Sequence, residues 1–428
     1  MDLASLHRAH VAHLSGGVAA ALEKAGYSAL FIHSGAPQKR TEADDQYWPL
    51  RPTPHFQHWL PLVEANCLLL IVPGGKPRLF RSGEKSFWEA PAPPESDHFW
   101  GSFEISAGAP QLPAGRIAFV GDEVRAGAAL GAALNPPDIL RELDRLRVRK
   151  TPYEVECLAE ANRRAALGHD QLRRLFQNAD HSELELHLAF LGTTRQDDAE
   201  TPYKNIVALG KHAATLHHIA YEKRAQPAQS MLVDAGATYA GYCSDITRTW
   251  VKGGGATASS FAQLVAGLEA MQQRLCAKVR TGMPYEELHD ESHRLAAAVL
   301  REVGISKLPE DELVSRGFTR AFYPHGLGHS LGLQCHDVGC ALRPPRAENP
   351  FLRNTSPIAE GQVFTIEPGL YFIDALLEPL RGSAEIDWKL VDALASMGGV
   401  RIEDDLVVRA DGARNLTREV LPQGGGAA

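Results

Sequence analysis

Two aspartates, two glutamates and one histidine in the C-terminal half of this 428-residue chain stand where charge is costly. Asp234 and Asp245 lie in VDAGATYAGYCSDITRTW, His329 in PHGLGHSLG, Glu367 in FTIEPGLYF and Glu403 in VRIEDDLVV. Most of these segments are otherwise apolar or glycine-rich. A charged group on a buried strand is unfavourable unless it is paired or bound to a metal. Four carboxylates and one imidazole form a hard, oxygen-rich ligand set. Such a set suits manganese, cobalt or magnesium better than a thiolate-type structural zinc site does. Two ions about 3.5–4 Å apart can share bridging carboxylates and a bridging hydroxide, as in dinuclear hydrolytic centres.

The elements that must carry these groups are also legible. The Asp234–Asp245 stretch reads as a β-hairpin with Gly236 and Gly241 bracketing its turn. A regular hairpin would set the two aspartates opposite one another on one face, where a cation relieves their repulsion. Period-two alternation puts Glu367 with Thr365 and Glu403 with Arg401. PHGLGHSLGLQCHD brings His325, His329 and His336 among small residues, which suits close backbone approach. Its H-x-x-x-H spacing lacks the glutamate of a zincin, because Gly326 follows the first histidine.

At 428 residues two domains are expected. The boundary falls at a charged helix (139–150) followed by Thr151-Pro152, an N-cap and first-turn proline. Residues 1–149 read as a smaller α/β domain, with a hairpin around Gly74–Gly75. Residues 150–428 read as α+β with an antiparallel sheet. Helices are expected at 152–176, 182–193, 258–280 and 284–303, and strands at 205–210, 230–236, 241–251, 363–373 and 401–409. The tail QGGGAA is expected to fray. His7, His10 and His13 drift around a helix and read as structural. Gly253–Gly255 reads as a connecting loop. A net charge of -8 argues against nucleic acid or an anionic membrane as partner. No signal peptide or transmembrane run is evident, and six cysteines without a C-x-x-C pair suit free thiols in a reducing cytoplasm.

At these residues the chain resembles the Xaa-Pro dipeptidase (prolidase) branch of the pita-bread metallopeptidases. Aminopeptidase P, methionine aminopeptidase and creatinase share that fold. The resemblance spans essentially the whole chain. It is carried by the D…D…H…E…E pattern and by TPYKNIVALG…LHH, PHGLGHSLGLQCHDVG, TIEPGLYFI with LLEPLRG, GGVRIEDDLVV and ADDQYWPL. It is close to bacterial prolidases, including those called organophosphorus acid anhydrolases.

The resemblance implies two divalent ions, manganese first, with cobalt or zinc as substitutes. Asp234 would bind one ion, Asp245 and Glu403 would bridge both, and His329 and Glu367 would complete the shell of the other. Glu367 would also act as general base and acid. His217 and His336 would stabilise the oxyanion, with His325 and Arg401 supporting the site or touching substrate. Tyr203 would line the pocket, and Asp45 and Trp88 of a homodimer partner would close it. The family usually has His-Tyr where this chain has His217-His218. The expected reaction is Xaa-Pro dipeptide hydrolysis in the cytoplasm, with organophosphate cleavage as a side activity. Two alternatives remain open at this point: an aminopeptidase P acting on longer peptides, and a non-catalytic pita-bread binding module.

Overall fold

The computed structural model describes residues 2–83 and 93–427. The chain divides into two compact units, Met1–Cys157 and Leu158–Ala428.

The first unit is built on a six-stranded mixed sheet. Its strands run in the order Glu104–Ala107, Arg78–Arg81, Leu68–Ile71, Ala29–His33, Ile117–Val120, Ala133–Leu134. The helix Leu3–Ala25 begins at Asp2, whose carboxylate accepts from Ser5 N–H, and ends at Gly26 with φ 71°. Its Leu14, Val18 and Leu22 pack into a core with Leu30 and Ile32. His7 and His10 are buried on the same helix. His7 bonds to Ser102 and Trp59 O, and His10 to Thr151 and His58 O. Burial pushes their pKa values down to about 3 and about 4, so both are neutral. The unit extends eight residues beyond the boundary expected at 149. The reason is local: Tyr153 and Glu154, on the first turns of the helix Pro152–Asn178, pack against His7 and His58.

The four expected helices all form within two residues of their expected ends: Pro152–Asn178, which starts in the first unit, and Glu183–Thr194, Ala256–Lys278 and Tyr285–Glu302 in the second. Helix Ala256–Lys278 buries Phe261, Leu264, Val265, Leu268 and Leu275, the spacing of one apolar face. Its core partners include Leu288 and Leu300 of the next helix and Phe364 and Leu406 of the sheets.

Three sheets matter for the site. One runs Gly425–Ala427, Thr247–Val251, Ser230–Asp234, Ile206–Leu209. A second runs Val363–Ile366, Asp404–Arg409, Gly412–Asn415, and a third pairs Gly369–Tyr371 with Gly399–Arg401. The bridge between Thr247 and Glu403 joins the first to the strand end of the second. The expected strand 363–373 is interrupted at Glu367-Pro368, where proline has no N–H for a ladder. The expected strand 401–409 breaks at Ile402-Glu403. The tail does not fray: Gly425–Ala427 pairs in parallel with Thr249–Val251. A Cβ on Gly425 would lie 2.3 Å from Thr249 O, so the missing side chain is what lets this edge strand close.

The hairpin register differs from the expected one. Ala240 and Gly241, at φ 50° and 84°, form the two-residue turn. Asp234 therefore faces Thr247 rather than Asp245. Asp245 is two residues away along the opposing chain, a diagonal neighbour on the same face. Close approach near Asp245 depends on Gly236, where a Cβ would stand 2.0 Å from Ser244 O. Gly236→Ala should destabilise the chain by more than about 1 kcal/mol, because neither backbone can yield without breaking the ladder. A urea midpoint equal to that of the parent would contradict this account of the hairpin.

Candidate metal centre

His329 lies at the middle of the carboxylates. Its segment runs beside strand Val363–Ile366, with Thr365 N–H donating to His329 O and Glu367 N–H to Leu327 O. The glycines here serve backbone-to-backbone packing, because a Cβ on Gly328 would sit 2.0 Å from Thr365 O. His329 Nε2 is 3.4 Å from Asp245 Oδ2, 3.6 Å from Glu367 Oε1 and 4.0 Å from Glu403 Oε1. Its Nδ1 is 3.1 Å from Ser330 O, which fixes the tautomer that offers Nε2 to a ligand. Asp245, His329 and Glu403 are all buried, with ligand atoms close enough to share one ion.

Asp234 is held by Arg401, whose Nη2 donates to Oδ2 at 2.6 Å. Arg401 also donates to Tyr371 OH at 2.8 Å and to Thr247 Oγ1 at 3.2 Å. Thr247 in turn donates to Glu403 Oε2 at 2.7 Å. Arg401 thus reaches Glu403 through a hydroxyl and reaches Asp234 directly. Tyr203 is half-buried, donates to Asp245 Oδ1 at 2.6 Å and lies within the field of Asp234 and Glu403. His325 bonds to Gly326 O and to Tyr371 OH, and burial with the nearby Arg401 drops its pKa to about 3.

His336 packs edge-on against His329 at 4.3 Å between ring centres and lines a cleft of about 580 Å³. His217 is exposed on an irregular segment, within electrostatic reach of both His325 and His336. Asp45 is exposed on a loop of the first unit and accepts from Gln46. Trp88 lies outside the described residues.

A family profile described as Metallopeptidase family M24 matches residues 156–410. A second, described as Xaa-Pro dipeptidase, N-terminal domain, matches residues 5–144. The chain belongs to metallopeptidase family M24. Among curated relatives, a protein of Marinobacter nauticus named Xaa-Pro dipeptidase is 42% identical, over 98% of this chain and 99% of that one. A protein of the same name from Pseudoalteromonas atlantica is 38% identical over the same shares. Proline aminopeptidase P II from Yersinia pestis superposes with a TM-score of 0.74 at 22% identity, covering 97% of each chain. The E. coli aminopeptidase P in complex with Pro-Leu gives 0.72 at 21%, over 96% and 95%. The fold is the pita-bread α+β architecture with a separate N-terminal domain.

The donor set of this M24 chain fits divalent cations. Asp234 Oδ1 is buried without a hydrogen-bond partner. Burial raises Glu403 well above the usual carboxylate range, and Asp245, Glu367 and Asp234 add to the effect. Glu367 is pushed up to about 7, by burial first, with His329 and Arg401 opposing. Burial works against a charged His329, yet its bond to Asp245 and the charge of Glu367 outweigh this and raise it to about 9. Asp245 alone goes down, because the His329 bond overcomes its burial. A protonated His329 therefore places a positive charge in a pocket crowded with carboxylates.

Sequence reasoning missed Thr247, Tyr371, Cys335 and Asp405. Cys335 donates to Asp245 Oδ2 at 3.0 Å, and Asp405 accepts from Asp245 N–H and from Asn162. Asp405 sits two residues beyond Glu403, so strand alternation was the available signal.

Ligation needs an unprotonated His329 and an ionised Glu367, so metal uptake near pH 7 must expel protons. Manganese added to metal-stripped protein should release at least about one proton per chain. Its affinity should weaken about tenfold per pH unit for each such proton as pH falls from about 8 to 6. Calorimetry in buffers of different ionisation enthalpy reads both. Proton-free, pH-independent binding would contradict the proposed ligands.

Proposed function

We propose that this chain hydrolyses Xaa-Pro dipeptides at a centre of two divalent metal ions, manganese first. The observation that carries the reading is the meeting of Asp245, Glu367 and Glu403 around His329 Nε2. Asp234 would hold one ion, His329 and Glu367 the other, and Asp245 and Glu403 would bridge. Two ions there supply Lewis-acid polarisation of the scissile carbonyl and an acidified water as nucleophile.

The side chains do the rest. An amide preceding proline has no N–H to grip, so the peptide must be positioned through its carbonyl and its termini. Glu367 takes the proton of the attacking water and passes it to the departing proline nitrogen. His336 and His217 donate to the carbonyl oxygen as it gains charge. Arg401 holds Asp234, and His325 stays neutral against Tyr371. In a homodimer, Asp45 of the partner subunit would pair with the substrate amine, and Trp88 of the partner subunit would wall the pocket. Tetrahedral phosphorus esters resemble the tetrahedral intermediate, so slow organophosphate hydrolysis is expected as a side activity.

The dipeptide reading requires a cation for the proline carboxylate. Arg353 lines the same cleft as His329 and His336, is exposed, and has no ion-pair partner among the described residues. Its charge also contributes to lowering His336 to about 4, after burial and His329.

Metal-stripped protein given manganese should cleave Ala-Pro and leave Ala-Pro-Ala nearly untouched. Preference for the tripeptide would favour an aminopeptidase P. No turnover together with no stoichiometric metal would favour a binding module. Arg353→Met should raise KM for Ala-Pro by about tenfold or more with kcat little changed, the mark of a contact equal in ground and transition states. The same substitution should leave Ala-Pro-amide unaffected. An unchanged KM for Ala-Pro would remove Arg353 from the substrate site.

A further inference from the structure

Glu183 is fully buried at the start of helix Glu183–Thr194, far along the sequence from the metal ligands. It accepts four hydrogen bonds, all from residues 209–222. Oε1 takes Leu209 N–H at 2.9 Å and His212 Nδ1 at 2.7 Å. Oε2 takes His218 Nε2 at 2.7 Å and Glu222 N–H at 2.8 Å. The His212 and His218 rings stack at 4.6 Å with 27° between their planes. Burial opposes an ionised Glu183, but the bonds from His218 and the backbone overcome it and bring the pKa to about 2. An ionised, buried carboxylate with four aimed donors is a rigid anchor.

What it anchors has little structure of its own. Beyond the short helical turn Gly210–Ala214, residues 215–222 form no helix or strand. His217 lies on this stretch, directly before His218. His218 is directed into Glu183, while His217 is exposed and lies within electrostatic reach of His325 and His336. His217 lies in a turn and shares a peptide bond with the anchored His218. Holding His218 on Glu183 therefore restricts the backbone that carries His217.

We infer that Glu183, through His212 and His218, is a positioning residue that aims His217 at the reacting carbonyl. The inference rests on the dipeptidase reading above. It also accounts for His218 in place of the tyrosine usual in similar chains, since either side chain can donate to the buried carboxylate.

The test is a double-mutant cycle on the full chain loaded with manganese, with Ala-Pro as substrate. His217→Ala should lower kcat by about 10²-fold, as for loss of one oxyanion donor. Glu183→Gln should lower kcat about tenfold with KM and bound manganese unchanged, because only the aim of the donor is lost. In the His217→Ala background, Glu183→Gln should cost nothing more. His218→Phe should behave like Glu183→Gln, and His218→Tyr should retain the parental kcat. Hydrogen exchange should show lost protection across residues 210–222 in Glu183→Gln. Multiplicative losses in the double variant, or an undiminished kcat in His218→Phe, would overturn the inference. If Glu183→Gln does not fold, His218→Phe takes its place in the cycle. A parent protein inert towards dipeptides would sink the peptidase reading instead. Exchange would then decide alone, and unchanged protection of 210–222 would refute the clamp.

Discussion

Everything around the catalytic pocket follows from crowding carboxylates into a largely buried space. Asp234, Asp245, Glu367 and Glu403 repel one another there, and burial acts upward on all four, leaving every one but Asp245 raised. The fold offsets this with directed donors rather than with a matching number of fixed cations. Tyr203 and Cys335 donate to Asp245, Thr247 donates to Glu403, and Arg401 alone brings a permanent charge, to Asp234. The remaining imbalance is carried by a proton on His329. Cations of higher charge can replace that proton without moving the backbone, since the ligands are already gathered. A pocket arranged in this way favours metal over proton only where the pH lets both His329 and Glu367 release what they hold.

Strand ends give the pocket its precision. Asp234 closes one strand, Glu367 follows another, and Glu403 precedes a third. Each of these acids therefore stands where the ladder stops and a side chain can turn towards a neighbour. The run Glu403-Asp404-Asp405 shows how finely this works. Glu403 enters the pocket, and Asp405 stands behind Asp245 on the same side. Asp404 points the other way, to Arg248 and Arg418 at 2.9 and 2.6 Å. Burial raises Asp404, but those two guanidiniums outweigh it and hold it below the usual carboxylate range. Alternation thus divides three acids in a row between two environments: burial raises Glu403 and Asp405 on one side, while Asp404 on the other is lowered.

The amino-acid sequence made the carboxylates legible because acids are conspicuous in apolar strands. It also showed the helices, whose apolar faces recur at helical spacing. Other features were hidden for physical reasons. Asp234 and Asp245 could not be set correctly across the hairpin, because the turn centre depends on Ala240 taking a left-handed conformation that alanine rarely adopts. The pairing of Gly425–Ala427 could not be foreseen, because glycines that permit close packing look the same as glycines that loosen a tail. Thr247, Tyr371 and Cys335 were overlooked for a similar reason: hydroxyls and thiols are ordinary core residues until a carboxylate lies beside them.

The proposed metal ligands and the proposed oxyanion donors stand on different kinds of support, and chemistry explains the division. Ligands must keep fixed separations whether or not substrate is present, so they belong on strand ends and on segments hydrogen-bonded to strands. A donor to a carbonyl oxygen must let substrate enter and product leave, which a sheet does not allow. His336 therefore sits past the glycine-rich segment at the rim of the cleft, and His217 on a stretch without regular structure. Such a donor is effective only if its direction is set before the reaction begins, because reorienting it during the reaction would raise the barrier. A buried carboxylate that gathers two imidazoles and two backbone amides supplies that direction while leaving the exposed ring free to meet the substrate.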